Sequence, residues 1–174
     1  MTAVAQVEDV ASSVDKYYGG ITYAETASEP NPWIRTKYRP VGGSTAFGPA
    51  QITGTTLKSY IKQGLLSKES SAFAKNIMVP MYDNFKKYGA EPKRTGYRKE
   101  YDYGGSGLFN PEVHGASYEK MAKEMMAVEL AKAKGDVNKF VTVWRGKSQK
   151  DDPRYFEAFA RAILSNSGIG SLKK

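Results

Sequence analysis

The sequence predicts a mainly α-helical protein, a single domain with two long loops and at most a small β element. Three observations predict this. Apolar residues recur three and four positions apart along most of the chain, the period of a helix with one buried face. Two stretches break that period: 26–49 is rich in Pro, Gly, Ser and Thr, and 90–111 is irregular. No internal repeat and no linker divides the chain. Its 174 residues, 40% hydrophobic, are enough for one core. Twelve tyrosines argue against disorder. The single domain covers 1–174, with a core over about 10–164 and a loose tail at 165–174.

The elements follow in order. Val10, Val14, Tyr17 and Tyr18 have helical spacing, and Gly19-Gly20 is expected to interrupt them. A short apolar turn from Ile21 to Ala24 leads to Glu25, and a loop runs from Thr26 to Pro49. A short helix fits Thr53 to Gln63, with Gly64 as its stop. Ser67 caps a helix running towards Tyr88. There Phe73, Ile77, Met81 and Phe85 fall on one face, and Pro80 should kink or split the helix. Gly89 ends it. Arg94 to Gly107 is a basic, tyrosine-rich segment. Three helices follow: about Ser117–Lys134 with Met121, Met125, Val128 and Leu130, about Asp136–Trp144 with Val137, Phe140 and Val141, and about Asp152–Leu164 with Tyr155, Phe156, Phe159 and Ile163. The Met and aromatic stripes read as core.

Composition narrows the chemistry. The net charge is +8, and the pI is near 9.5. A basic surface attracts polyanions such as nucleic acid, an anionic membrane face or the bacterial cell wall. The Lys and Arg residues are spread along the chain with no recognisable nucleic-acid motif, so no specific nucleic acid is expected as partner. There is no cysteine and one histidine, His114. A zinc hydrolase site needs about three protein ligands, led by His and Cys. No Gly-x-Ser-x-Gly elbow accompanies His114. No metal and no cofactor are expected, and chemistry carried by carboxylates remains. Met1 to Ser13 lacks the basic and apolar regions of a signal peptide, and no apolar run reaches the length of a membrane span. The expectation is synthesis in a cytoplasm, action at the periplasm or cell wall by another route, and no membrane insertion.

The residues that carry chemistry are Tyr23-Ala24-Glu25-Thr26 and Ser44-Thr45-Ala46-Phe47-Gly48-Pro49-Ala50-Gln51-Ile52. Here the chain resembles the lysozyme-like superfamily of soluble lytic transglycosylases and goose-type lysozymes. In that family a catalytic Glu, usually followed by Ser, ends a buried helix, and a Gly-Leu-Met-Gln-Ile segment opens the next one. Glu25-Thr26 is similar to the first and Gly48-Pro49-Ala50-Gln51-Ile52 to the second. Leu108-Phe109-Asn110-Pro111-Glu112, with Gly115-Ala116-Ser117-Tyr118, resembles the family's Phe-Asp-Pro…Gly-Ala-x-Tyr-Leu segment. Val143-Trp144-Arg145-Gly146 falls where the family has Ala-Tyr-Asn-Ala-Gly. The resemblance spans roughly 10–164 and is nearest to small phage-encoded members. It implies a lysozyme-like fold, and cleavage of the MurNAc-GlcNAc β-1,4 bond of peptidoglycan, with Glu25 as general acid and base. The implied settings are a phage endolysin or a virion-associated wall-degrading enzyme. The implied partners are peptidoglycan glycan strands and, in a virion, other virion proteins. Two departures stand out. Pro30 to Gly43 reads as an enlarged loop, and Trp144 replaces a Tyr whose hydroxyl contacts the catalytic Glu; an indole N–H donates but does not accept.

The residues themselves fit that chemistry. Glycosidic cleavage needs an acid that keeps its proton near neutral pH, most simply a carboxyl buried among apolar groups. Ile21, Tyr23 and Ala24 precede Glu25, and Phe47 is placed to close over it. The rival Glu29 lies in a Pro-rich loop. Gln51 either orients a sugar N-acetyl group or the Glu25 carboxyl, or is a polar residue of a helix's first turn. Ser44 is a weaker candidate. Asp102 is either a second carboxylate that holds water or a turn cap before Gly104-Gly105. Tyr97, Tyr101 and Tyr103 either stack on sugars or pack their loop. His114 reads as a polar loop residue. A catalytically inactive wall-binding or virion structural protein of the same fold is the alternative, separated from the enzyme only by Glu25 and its loops.

Overall fold

The computed structural model describes residues 3–26, 33, 46–88 and 108–166. Its elements are α1 (Ala3–Thr26), α2 (Gly54–Lys62), α3 (Lys68–Phe73), a π turn (Ala74–Met78), α4 (Val79–Tyr88), α5 (Pro111–Lys132), α6 (Val137–Arg145) and α7 (Pro153–Asn166). The fold is mainly α, with no strand among the described residues and only an isolated antiparallel bridge between Phe47 and Ile52. Among the described residues no helix is long and apolar enough to cross a membrane. The chain gathers into two compact units, Met1–Ser28 with Lys123–Lys174, and Glu29–Ala122.

In the first unit α1 packs along α7. Gly19-Gly20 does not interrupt α1, which runs on through Thr26. The cause is tertiary: a Cβ at Gly20 would lie 2.7 Å from ring carbons of Phe159 and 3.2 Å from Ile163. Glycine weakens a helix intrinsically, but here it lets α7 approach closely. The Tyr17 ring sits 5.9 Å from both Phe140 of α6 and Phe159 of α7. Ile21, Met125, Met126, Phe140, Val141, Phe156 and Phe159 are buried. Asp136 caps α6 by accepting from the Lys139 N–H, and α6 ends at Gly146 with φ +79°.

In the second unit the local signals act as expected. Ser67 caps α3, while Thr53, expected as the first residue of its helix, is instead the cap of α2; each accepts an N–H three residues on. Gly64 adopts φ +66°, the left-handed turn that stops a helix. Pro80 does split its helix, through the π turn just before it. Proline clashes with the carbonyl four residues back, here Asn76 inside that turn, and the wider i→i+5 spiral absorbs the conflict. The extra width also moves the buried line. Ser70, Ala74, Met78, Met81 and Tyr82 are buried, while Phe73 and Ile77 of the expected stripe are only partly so. The side chain of Phe85 lies outside the described residues. α5 starts six positions before the predicted Ser117. Asn110 Oδ1 accepts the Glu112 N–H at 3.0 Å, and Pro111 takes the first helical position, where its missing N–H costs nothing. His114 is therefore a helix residue, not a loop residue. Its Nδ1 accepts the Asn110 N–H at 3.0 Å, and its ring lies 5.5 Å from Phe109.

Candidate active site

Glu25 is the penultimate residue of α1 and is partly buried. Its Oε1 accepts a hydrogen bond from the Tyr155 hydroxyl at 2.8 Å. Tyr155, buried in the first turn of α7, comes from a segment 130 positions away. Arg145 closes α6, and its Nε donates to Asp152 Oδ2 at 2.8 Å. The Arg145 guanidinium carbon stands 5.0 Å from the centroid of the Tyr155 ring, a cation–π distance. Asp152 stands directly before Pro153, the first residue of α7. The connection from α6 is pinned by Ser148, whose carbonyl accepts the Asp151 and Asp152 N–H groups at 3.1 and 2.9 Å.

Burial drives the Glu25 carboxyl's pKa above its ordinary value of 4.5; the Tyr155 hydrogen bond and the Arg145 charge pull it down, and Asp152 adds to the rise. The negative end of the α1 dipole acts in the same upward direction. Tyr155 holds its own proton far more firmly than a free phenol, first through burial and then through the Glu25 charge, so it stays a donor. Burial works against the Arg145 charge, but its hydrogen bond to Asp152 and its neighbours' negative charge outweigh that. The hydrogen bond from Arg145 keeps Asp152 below its ordinary value, so Asp152 is ionised. The group at the end of α1 is therefore a carboxyl that holds its proton more firmly than an ordinary Glu, beside a neutral donor and an ion pair. Such an arrangement can act as a general acid.

Tyr155 was legible as one of the apolar stripe of the third predicted helix. The signal for more lay in its hydroxyl, since a buried Tyr usually needs a polar partner. Arg145 and Asp152 carried no signal that the spacing singled out. Trp144 is partly buried, with its ring 6.1 Å from that of Phe140. The hydroxyl that meets Glu25 comes from Tyr155 in the next helix.

The other predicted residues that the structure describes, Phe47, Gly48 and Gln51, come together in one turn of the second unit. Phe47 and Ile52 exchange backbone hydrogen bonds at 3.0 and 3.1 Å across it. The Tyr118 hydroxyl donates to the Phe47 carbonyl at 2.9 Å and accepts the Ala50 N–H at 3.1 Å. The Tyr82 hydroxyl donates to the Ile52 carbonyl at 2.6 Å. Gly48 has φ +79°, and a Cβ there would meet the Tyr118 ring at 2.6 Å. Phe47 is fully buried, 5.1 Å from Phe109 and 6.1 Å from Trp33. Gln51 is not in a helix, because α2 begins only at Gly54; it sits in the turn at φ +52° and its Nε2 donates to the Gly48 carbonyl at 2.9 Å. The turn is thus pinned through its backbone by two buried tyrosines.

Ser44, Glu29, Tyr97, Tyr101, Asp102 and Tyr103 lie outside the described residues. Among the described residues no three His, Asp or Glu side chains gather in a way that would hold a metal. Compared with protein-family models, with curated proteins and with solved structures, the chain matches none.

Proposed function

We propose that this protein is a peptidoglycan-cleaving glycosidase of the lytic transglycosylase or lysozyme type, cutting the MurNAc-GlcNAc β-1,4 bond with Glu25 as acid and then base. One observation carries the reading: Glu25 is a partly buried carboxyl at a helix end, held by Tyr155 at 2.8 Å, with its proton favoured by burial. The resemblance of the motifs around Glu25 and Gln51 supplies the substrate class. Protonated Glu25 gives its proton to the glycosidic oxygen, and the bond from that oxygen to C1 breaks. The substrate's N-acetyl group stabilises the positive charge at C1. Ionised Glu25 then takes the proton from the C6 hydroxyl, whose oxygen bonds to C1 and closes an internal ring. The product is a 1,6-anhydro-muropeptide, lighter by one water than the hydrolysis product. Tyr155 fixes the carboxyl in one orientation and steadies it while it is charged. In the hydrolytic version Asp102 is the group that would hold the attacking water. The setting that fits is a phage endolysin or a virion-associated enzyme, and the charge of +8 fits docking on an anionic wall.

The test is mass spectrometry of muropeptides released from purified peptidoglycan. Anhydro products are expected, and Glu25→Gln should lower their release at least roughly a hundredfold, the low end for general acid catalysis. Reducing-end products alone, together with loss of activity in Asp102→Asn, would make the enzyme a two-carboxylate lysozyme. A protein that binds walls and releases nothing is the inactive wall-binding or virion structural protein instead.

A further inference from the structure

We propose that Arg145 and Asp152 are positioning residues for Glu25, an ion pair in which Asp152 offsets the guanidinium charge that would otherwise draw the proton off the acid. The proposal rests on Glu25 being the acid, and it names what regulates that acid.

The geometry comes first. Arg145 Nε and Asp152 Oδ2 are 2.8 Å apart, with side chains 33% and 20% exposed, so solvent screens the pair only in part. The guanidinium carbon lies 5.0 Å from the Tyr155 ring centroid, and the Tyr155 hydroxyl lies 2.8 Å from Glu25. The pair therefore stands directly behind the one side chain that holds the acid. A bare guanidinium at this place favours the carboxylate and works against an acid that must arrive protonated. Deleting it would remove the cation–π contact that braces Tyr155. A guanidinium neutralised by Asp152 braces the ring without stripping the proton. The Tyr155 backbone N–H also favours the Asp152 carboxylate. Asp152 thus stands directly before α7 and balances Arg145. Among the described residues the groups that act on Glu25 are Tyr155, Arg145 and Asp152, and Lys147 acts in turn on Asp152.

The experiment uses the full chain in five forms: wild type, Asp152→Asn, Arg145→Met, Arg145→Lys and the double variant Asp152→Asn with Arg145→Met. Asn keeps the size and a hydrogen-bonding oxygen while losing the charge. Two readings are taken: the NMR titration of the Glu25 carboxyl carbon, and muropeptide release against pH. Asp152→Asn should lower the Glu25 midpoint and move the alkaline limb of activity to lower pH. At the wild type's alkaline edge, activity should fall about tenfold for each unit of that movement and return at lower pH. Arg145→Met should move both readings the opposite way, and the double variant should fall between the two, near wild type. Arg145→Lys keeps the charge and should stay near wild type, which gives a reading even if Arg145→Met folds poorly. A pair that is only a structural staple would lower melting temperatures and leave the Glu25 midpoint where it is; one midpoint shared by all five forms overturns the proposal. If wild type releases no muropeptides, the enzyme reading fails, and the NMR titration still decides the role of the pair.

Discussion

At the scale of single residues, the proposed role of Glu25 ties its protonation to stability as well as to catalysis. Its pKa is raised in the folded state, mainly by burial. The protonated carboxyl therefore contributes stability that is fully present below about pH 4.5, the unfolded value, and is lost as pH rises through the folded value. Glu25→Gln is neutral at every pH. It should raise the melting temperature at neutral pH while abolishing activity, and the gain should vanish when the melts are repeated below pH 4.5. A variant that is less stable than wild type at neutral pH would contradict the burial of this carboxyl. Tyr155→Phe removes the hydroxyl that lowers the Glu25 pKa. The alkaline limb of activity should move to higher pH and kcat should fall with KM little changed, since the group orients the acid and not the sugar. The lost hydrogen bond should cost about 1 kcal/mol in denaturant unfolding.

At the scale of elements, α1 and α7 meet over Gly20. Alanine improves on glycine in a helix by about 1 kcal/mol, but here its methyl would fall 2.7 Å from two carbons of the buried Phe159 ring. Forcing a methyl into a filled space costs about 1–3 kcal/mol. Gly20→Ala should therefore lower stability, and the loss should ease when Phe159 is also trimmed to Leu. Gly64→Ala makes the contrast: nothing lies within 4 Å of its Cβ, yet its φ of +66° strains any side chain, for a loss of about 1 kcal/mol. Chemical denaturation of the three variants separates crowding from backbone strain, because only the crowding is relieved by the second substitution. The same competition explains why a Gly-Gly pair that reads as a break lies inside a continuous helix.

At the scale of the whole molecule, the proposed function makes charge the governor of the approach to the cell wall. A net charge of +8 acts through a field that salt screens over about 10 Å at 0.1 M. Binding to intact walls should weaken steadily as salt rises, measured by sedimentation of the protein with purified walls. Cleavage of short soluble glycans should be less sensitive, since it depends on a partly buried carboxyl. Equal salt dependence for both substrates would mean that no separate electrostatic docking step exists. Surface ion pairs such as Lys58–Asp83 at 2.9 Å, with side chains 39% and 58% exposed, add little to stability, so salt should change binding far more than melting temperature.

What the sequence determined by itself is local. The helical class, the caps at Thr53, Ser67 and Asp136, the stop at Gly64 and the split near Pro80 all depend on atoms within a turn of one another. The local run around Glu25 did not by itself single out the carboxyl; the order of the downstream motifs, through their resemblance to a known family, did. Only the tertiary structure decided what that carboxyl touches. Tyr155 reaches it from 130 positions away, on a stripe whose period announces burial and says nothing of a partner. The Arg145–Asp152 pair depends on where α6 stops and α7 starts, which a turn pinned by Ser148 settles. The continuity of α1 through Gly19-Gly20 depends on Phe159 arriving against it. Propensity and capping act within about four residues of chain, whereas burial and hydrogen bonding to a distant side chain exist only once the helices have packed.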